Sequence, residues 1–524
     1  MSHPVLIAGQ WRPAREAGTF HAVDPRTGES LPGEYPVSRW EDCDEALRAA
    51  SHAAADLRRL PSETRAAFLD EYARRIESRK EELAETASGE TGYPVSPRLA
   101  DVELPRTTDQ LRQAAAAARD GSWAMPTIDR ARKIRSHLAP IGPVCVFGPN
   151  NFPFAFGSVS GGDFAAAIAA GNPVLAKGHS SHPSTTRLFA EEAFVAALET
   201  GMPHSAVQLV YRLSHSDGER LVSDRRVGAS AYTGGRHSGL ALKRAADAAG
   251  RPFYAELSSI NPVVVLPGAL RERLDAIVDE FTASCLMGTG QFCTNPGLIL
   301  VLEGSESERF IERAAERFRA APSGTLLSEG VGRTLVSSLG TWVRAGAHTV
   351  VGNASSVSAG YSLANTLMRV TGAAFLERPA ELQTEAFGNA SLVVVAHDAA
   401  EAKHVIDVLD GNLTGCVYSA RNGEDESLYD ALAPALRRHV GRLLNDKMPT
   451  GVAVSPAMQH GGPFPATGHP GFTAVGIPAS LRRFGALECY DGVRDHRLPP
   501  SLRDANPTGA WRWVDGVWTQ GQLG

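Results

Sequence analysis

Pro143-Val144-Cys145-Val146-Phe147-Gly148-Pro149-Asn150-Asn151-Phe152-Pro153 is the stretch on which the fold turns. Four consecutive apolar residues, too few for a helix, run into a Gly-Pro pair that stops a strand. The two asparagines beyond it then sit at the strand's carboxyl end. The chain beyond Pro153 alternates in the same way. Small residues over 161–170 predict a helix, 172–177 a strand, 184–200 a helix and 207–211 a strand. Strands expected at 227–233 and 251–257 flank a helix at 236–249. This rhythm predicts a doubly wound, parallel α/β sheet, which takes nucleotides at the carboxyl ends of its strands.

Upstream, residues 1–35 read as short strands and turns broken by Gly9, Pro25 and Gly28. Residues 40–119 read as helices, with Ala46, Ala50, Ala53 and Leu57 spaced for one buried face. Downstream, 261–266 is expected to close the first block. A second α/β block is expected over about 270–465, with a helix up to Cys285, strands at 298–302, 391–396 and 414–418, and helices near 306–320 and 399–409. The tail, 503–524, is rich in Trp, Gly and polar residues and reads as an edge strand or a subunit contact.

A chain of 524 residues exceeds one core of ordinary size, so two or more domains are expected. A net charge of −6 gives no reason to expect nucleic acid or an anionic membrane surface as partner. Six scattered cysteines without a CxxC pair suggest reduced thiols, and neither a metal site nor a disulfide framework. With no secretory signal in the first residues and no apolar run of membrane-spanning length, a cytoplasmic location is expected.

The chemistry centres on Cys293, in Gly288-Thr289-Gly290-Gln291-Phe292-Cys293-Thr294-Asn295-Pro296. A cysteine among glycines and threonines lies where backbone N–H groups can approach the sulfur, which favours a thiolate and an oxyanion formed next to it. Asn151 offers an amide donor for such an oxyanion, or is an ordinary loop asparagine. Lys177, at a strand end, suits ribose hydroxyls or a phosphate, or is a solvated lysine. The turn Tyr232-Thr233-Gly234-Gly235-Arg236-His237-Ser238-Gly239 lets backbone approach a pyrophosphate at a helix N-terminus, although the bare pattern is an ordinary glycine turn. Glu256, ending an apolar strand, suits a general base, and Glu385 a ribose diol. For either carboxylate alone a surface residue is the commoner reading.

Order and spacing lift these above their separate readings. The chain resembles the aldehyde dehydrogenase superfamily over nearly its whole length, at Asn151-Phe152-Pro153, Lys177, Tyr232 to Gly239, Glu256-Leu257-Ser258-Ser259, Gly290 to Cys293 and Glu385 to Asn389. The resemblance implies Cys293 as nucleophile, Glu256 as general base and Asn151 as oxyanion donor. It implies a nicotinamide cofactor held by Pro149, Asn150, Lys177, Thr233, Gly234, Gly235, Gly239, Leu257, Glu385 and Phe387. Many NAD-dependent members carry Glu where this chain has Ser180. With Ser180, Lys177 and Arg212 together, NADP is expected to be preferred, with NAD a tolerated alternative.

Two further departures are Ser258-Ser259 for Gly-Gly, expected to alter backbone approach near Glu256, and Asn389 for Pro, expected to be a minor loop change. The wording of 148–156, 177–183 and 450–463 resembles the 2,5-dioxopentanoate (α-ketoglutaric semialdehyde) dehydrogenase branch. A bacterial long-chain fatty aldehyde dehydrogenase is also similar. Oxidation of 2,5-dioxopentanoate to 2-oxoglutarate is the expected reaction, with fatty aldehydes as the alternative. A non-catalytic protein on this fold predicts loss of Cys293, Glu256 or Asn151, and all three are present. A cofactor-free thiol hydrolase predicts a histidine beside the nucleophile, and the sequence suggests none.

The implied fold is α/β: a Rossmann-like dinucleotide-binding domain over 1–126 and 139–266 with part of 465–487, a catalytic domain over 267–464, and a small β oligomerisation element from 127–138 and 488–524. A homodimer or homotetramer follows from the same resemblance.

Overall fold

The computed structural model describes residues 2–352 and 360–523. The opening stretch forms the strand Val144–Phe147, buried along its whole length. It sits inside a seven-stranded sheet ordered Phe253–Glu256, Ala229–Thr233, Val144–Phe147, Val174–Lys177, Val207–Val210, Val5–Ile7, Gln10–Arg12. The first five strands run parallel, and the two N-terminal strands add on antiparallel. Strands covered on both faces must be apolar on both, which is why these segments read as continuous rather than alternating runs. The register pairs Phe147 with Lys177 and Tyr232, and Thr233 with Glu256. Four carboxyl ends therefore open along one edge, and Asn150, Asn151, Lys177, Gly234 and Glu256 all lie on or just beyond it.

A second seven-stranded sheet is ordered His348–Val351, Thr366–Thr371, Ala390–Ala396, Leu298–Leu302, Val263–Val265, Asn412–Tyr418, Val440–Asn445. Here the structure corrects the sequence reading. Val263–Val265 does not close the first block; it pairs in parallel with Leu298–Leu302 and with Asn412–Tyr418 near the middle of the second sheet. Three valines buried on both faces fit that central position. The chain thus crosses between sheets over 257–262, directly after Glu256, and the first block ends before 263 rather than at 266. Separate apolar clusters pack on the two sides of this sheet, around Trp342 and Phe375 on one and Phe281 and Phe310 on the other.

The third sheet has five strands, Gly485–Asp491, Ile134–Pro140, Thr127–Asp129, Arg512–Val514 and Val517–Thr519. It joins the hairpin and the C-terminal region read from the sequence as one element, and its strands run two residues past 138 and start three before 488. The tail supplies the last two strands. Buried Arg512 ties it down by donating to the carbonyls of Arg503, Asp504 and Gly521. No helix among the described residues is long and apolar enough to cross a membrane.

Candidate active site

The helix Pro267–Leu286 ends in a tight turn, Met287–Gly290, that delivers Cys293 to the junction of the two large sheets. Gly290 has φ +68, and a Cβ there would lie 2.0 Å from the Gly388 carbonyl oxygen. Only glycine allows this loop to pass against the one carrying Glu385. Buried Gln291 donates to the carbonyls of Gly288 (3.2 Å) and Thr325 (3.1 Å) and accepts from the Leu327 N–H (2.8 Å). Asn261 donates to the carbonyls of Cys293 (2.9 Å) and Asn295 (2.8 Å).

Asn151 is buried and donates its side-chain N–H to the Gln291 carbonyl at 2.9 Å, which sets its amide beside the cysteine loop. One hydrogen of that amide remains for another acceptor. A feature invisible in the sequence fixes this turn. Arg98, in the π-helical segment Val95–Glu103, donates to the Asn151 carbonyl at 3.0 Å and to Glu103 at 2.6 Å. The other Glu103 oxygen accepts the N–H groups of Phe154 (2.9 Å) and Ala155 (3.1 Å). The Arg98 guanidinium lies 4.4 Å from the Phe152 ring centroid. On the other side of the turn, His182 Nε2 is 2.9 Å from the Pro149 carbonyl oxygen.

Glu256 is buried at the end of its strand, held by the Leu257 N–H to Ala466 (2.7 Å) and the Gly468 N–H to Ala255 (2.9 Å). Its carboxylate oxygen lies 3.2 Å from Nε2 of His460, and that same Nε2 lies 3.4 Å from Cys293 Sγ. His460 is buried and fixed by its N–H to Thr473 Oγ1 at 3.0 Å. Two sequence expectations are overturned here. A histidine does stand beside the nucleophile, brought there by a loop distant in the chain. And the thiolate is not favoured: burial first, and the adjacent Glu256 carboxylate second, push the Cys293 thiol well above its ordinary range. The donor atoms of Glu256, Cys293 and His460 also lie within 4.8 Å of one another, a set able to hold a soft divalent cation where the sequence suggested no metal site.

A groove runs from Lys177 and Arg212 to Cys293, in two cavities of about 500 and 690 Å³ that share Pro149, Asn150, Thr233, Gly234 and Gly235 as lining. Ser180 lines the first, and Leu257, Glu385 and Phe387 line the second. Gly239 lines neither. A Cβ there would meet Leu257 at 2.3 Å, so it sets how closely its helix packs. Burial and Arg212 push the Lys177 ammonium down to about 8. Burial pushes the Glu385 carboxyl up to about 7, and its Oε1 accepts the Ser259 N–H at 3.3 Å. Ser258 lines the groove, whereas Ser259 is buried and accepts the Leu413 N–H at 3.0 Å. Asn389 is also buried, donating to the Leu363 carbonyl (2.9 Å) and to Asn365 (2.8 Å).

Residues 11–447 match the model of the aldehyde dehydrogenase family. The chain belongs to that family. It is 39% identical to alpha-ketoglutaric semialdehyde dehydrogenase 2 of Azospirillum brasilense over 523 residues, 98% of each chain. It is 34% identical to alpha-ketoglutaric semialdehyde dehydrogenase of Acinetobacter baylyi over 526 residues, again 98% of each. Its fold is similar to that of the aldehyde dehydrogenase of Bacillus cereus in its NAD+ complex, with TM-score 0.79, 19% identity, and coverage of 94% of this chain and 96% of that one.

In this aldehyde dehydrogenase the structure brings Asn151, Glu256 and Cys293 to one end of the groove, with Lys177, Ser180 and Arg212 at the other. His460, Arg98 and Glu103 escaped the sequence reading. Arg98 and Glu103 lie within a helical stretch whose charges look like a solvated face. His460 lies in Gln459-His460-Gly461-Gly462, where no spacing connects it to Cys293.

Proposed function

We propose that the chain is an aldehyde dehydrogenase that oxidises 2,5-dioxopentanoate to 2-oxoglutarate and prefers NADP to NAD. The observation that carries the reaction class is the groove that ends on Cys293 between Asn151 and Glu256. The full-length likeness to two alpha-ketoglutaric semialdehyde dehydrogenases supports the substrate. The residues fit a dinucleotide. The helix Arg236–Ala248 starts at Gly235 with no side-chain cap, so its first N–H groups are free for a pyrophosphate. Glu385 and Phe387 would hold the nicotinamide end, and Lys177 the adenosine ribose. Ser180 and Arg212 leave room and positive charge for a 2′-phosphate; Arg212 makes no ion pair among the described residues, and Glu219 is the opposing charge on that wall.

His460 Nε2 takes the Cys293 proton as Sγ bonds to the aldehyde carbon, and the shared Glu256 carboxylate stabilises the resulting imidazolium. The free N–H of Asn151 and the Cys293 backbone N–H hold the alkoxide. Bound nicotinamide supplies the hydride acceptor. The carbon left on Sγ is a thioester; Glu256 takes a proton from the water that attacks it, the acid departs, and the His460 imidazolium returns its proton to the Cys293 thiolate that is released. The test is initial rates on 2,5-dioxopentanoate and on decanal, with NADP and NAD, for wild type and Cys293→Ala. NADP-linked oxidation of the dioxo acid that disappears in the variant supports the proposal. Activity confined to decanal overturns the substrate, and equal or better use of NAD overturns the cofactor preference.

A further inference from the structure

We infer that Arg106 is the residue that receives the carboxylate of an anionic aldehyde bound at Cys293, an inference that rests on the aldehyde-oxidising reading above. Arg236 lines the groove itself and pairs with Asp410 at 3.5 Å. Of three further arginines around the active site, the bonding of the terminal nitrogens separates Arg106 from Arg98 and Arg442. Arg98 is consumed by Glu103 and the Asn151 carbonyl. Arg442 spends both terminal nitrogens on the carbonyls of Pro449 and Gly451. Arg106, on the helix Leu104–Asp120, donates one terminal nitrogen to the Val452 carbonyl, while its other terminal nitrogen and its Nε are buried with no partner among the described residues. Leaving buried guanidinium N–H groups unpaired is costly, and an anionic ligand removes that cost.

Among the described residues no carboxylate is placed to do so. Arg106 makes no ion pair among the described residues, and the nearby Glu103 is committed to Arg98 and to the backbone of Phe154 and Ala155. Its charge nevertheless reaches the reacting cysteine, since it opposes the upward push on the Cys293 thiol. A path of rings joins the two. The guanidinium carbon is 5.5 Å from the Phe156 centroid, and Phe156 is 5.8 Å from the His460 ring that touches Cys293 Sγ. Phe156 also packs edge-on against Phe152 at 5.4 Å, and Phe152 against Phe292 at 5.2 Å. None of these residues lines the nucleotide groove, and His460 carries their ring path to Cys293 Sγ. An aromatic wall with one unpaired cation at its far end suits a short chain that carries an aldehyde at one end and a carboxylate at the other. A neutral aldehyde would leave that cation unpaired.

The test compares Arg106→Met and Arg106→Lys with wild type on 2,5-dioxopentanoate, succinic semialdehyde and neutral pentanal, each with saturating cofactor. Arg106→Met is expected to raise KM for the two acids by about 100-fold, the scale for losing a buried charge-assisted contact, with kcat nearly unchanged. KM for pentanal should stay level or fall, and Arg106→Lys should keep part of the preference for acids. Thermal unfolding midpoints of the three proteins check that each is folded. An equal loss on acids and pentanal, or an unmoved KM for the acids, overturns the role of Arg106. A wild type that turns over succinic semialdehyde with an Arg106-dependent KM but rejects 2,5-dioxopentanoate overturns the proposed substrate and keeps the arginine.

Discussion

Cys293 and Glu256 are at odds in the resting protein, and that conflict is measurable. The carboxylate disfavours the thiolate, so replacing it by a neutral group of the same shape lowers the thiol pKa. Glu256→Gln should therefore be alkylated by iodoacetamide at pH 7 several-fold faster than wild type, since the thiolate fraction is larger. Its steady-state turnover should fall by about 10²–10⁴, the usual contribution of a general base, with a burst of reduced cofactor that reports a stalled thioester. Slower alkylation in the variant would mean that Glu256 itself withdraws the thiol proton. Glu385 makes a second pH statement. Burial holds it neutral below about 7, and the ionised form, with both oxygens free to accept, is the stronger partner for two hydroxyls. Cofactor KM should rise as pH falls from 8 to 6, by up to about tenfold for a single titrating group, and the slope should vanish in Glu385→Gln. An equal slope in that variant places the titration elsewhere.

At the scale of elements, the cysteine turn depends on a backbone-to-backbone approach. Gly290→Ala would put a methyl 2.0 Å from the Gly388 oxygen at a positive φ. The loops must separate, and we expect a loss of about 3 kcal/mol in calorimetry from overpacking and strain together, with turnover lost at temperatures where the protein is still folded. An active, equally stable variant would show that the two loops do not need this contact. The same elements show what is readable in the sequence. Val144–Phe147 and Ala390–Ala396 stand out because parallel strands covered on both faces are uniformly apolar. Val263–Val265 stands out equally but reads as part of the first block, because which sheet a strand joins is decided by its neighbours and leaves no local mark. The strand Val440–Asn445, only partly buried and interrupted by Gly441 and Arg442, has no such signature. Cys293, Asn151 and Glu256 are legible because each follows a strand or turn with its own pattern. His460 and Arg98 act through contacts made only after the chain has folded, and the state of the thiol depends on those contacts too.

For the whole molecule, the third sheet covers one side with Ile128, Val514, Leu498 and Leu502 and leaves large apolar side chains of its outer strands open among the described residues. Leu487 is 74% exposed and Val517 62% exposed, and both are on its outer strands. Trp513 and Trp518 face each other across the tail hairpin at 5.4 Å and remain open to solvent on the same sheet. An outer strand with large apolar residues invites pairing with another chain unless something blocks it. Charge does not block it at Val517–Thr519, which carries Val, Trp and Thr. We therefore expect this sheet to join subunits in a homodimer or homotetramer. Sedimentation of the full chain should give a mass of two or four subunits, and Leu487→Glu combined with Val517→Lys should lower it. Neither residue lines the groove that ends on Cys293, so turnover per subunit should survive the change. An assembly of undiminished mass would move the subunit contact to another face, and a monomeric wild type would leave the tail as a cap that closes the sheet within one chain.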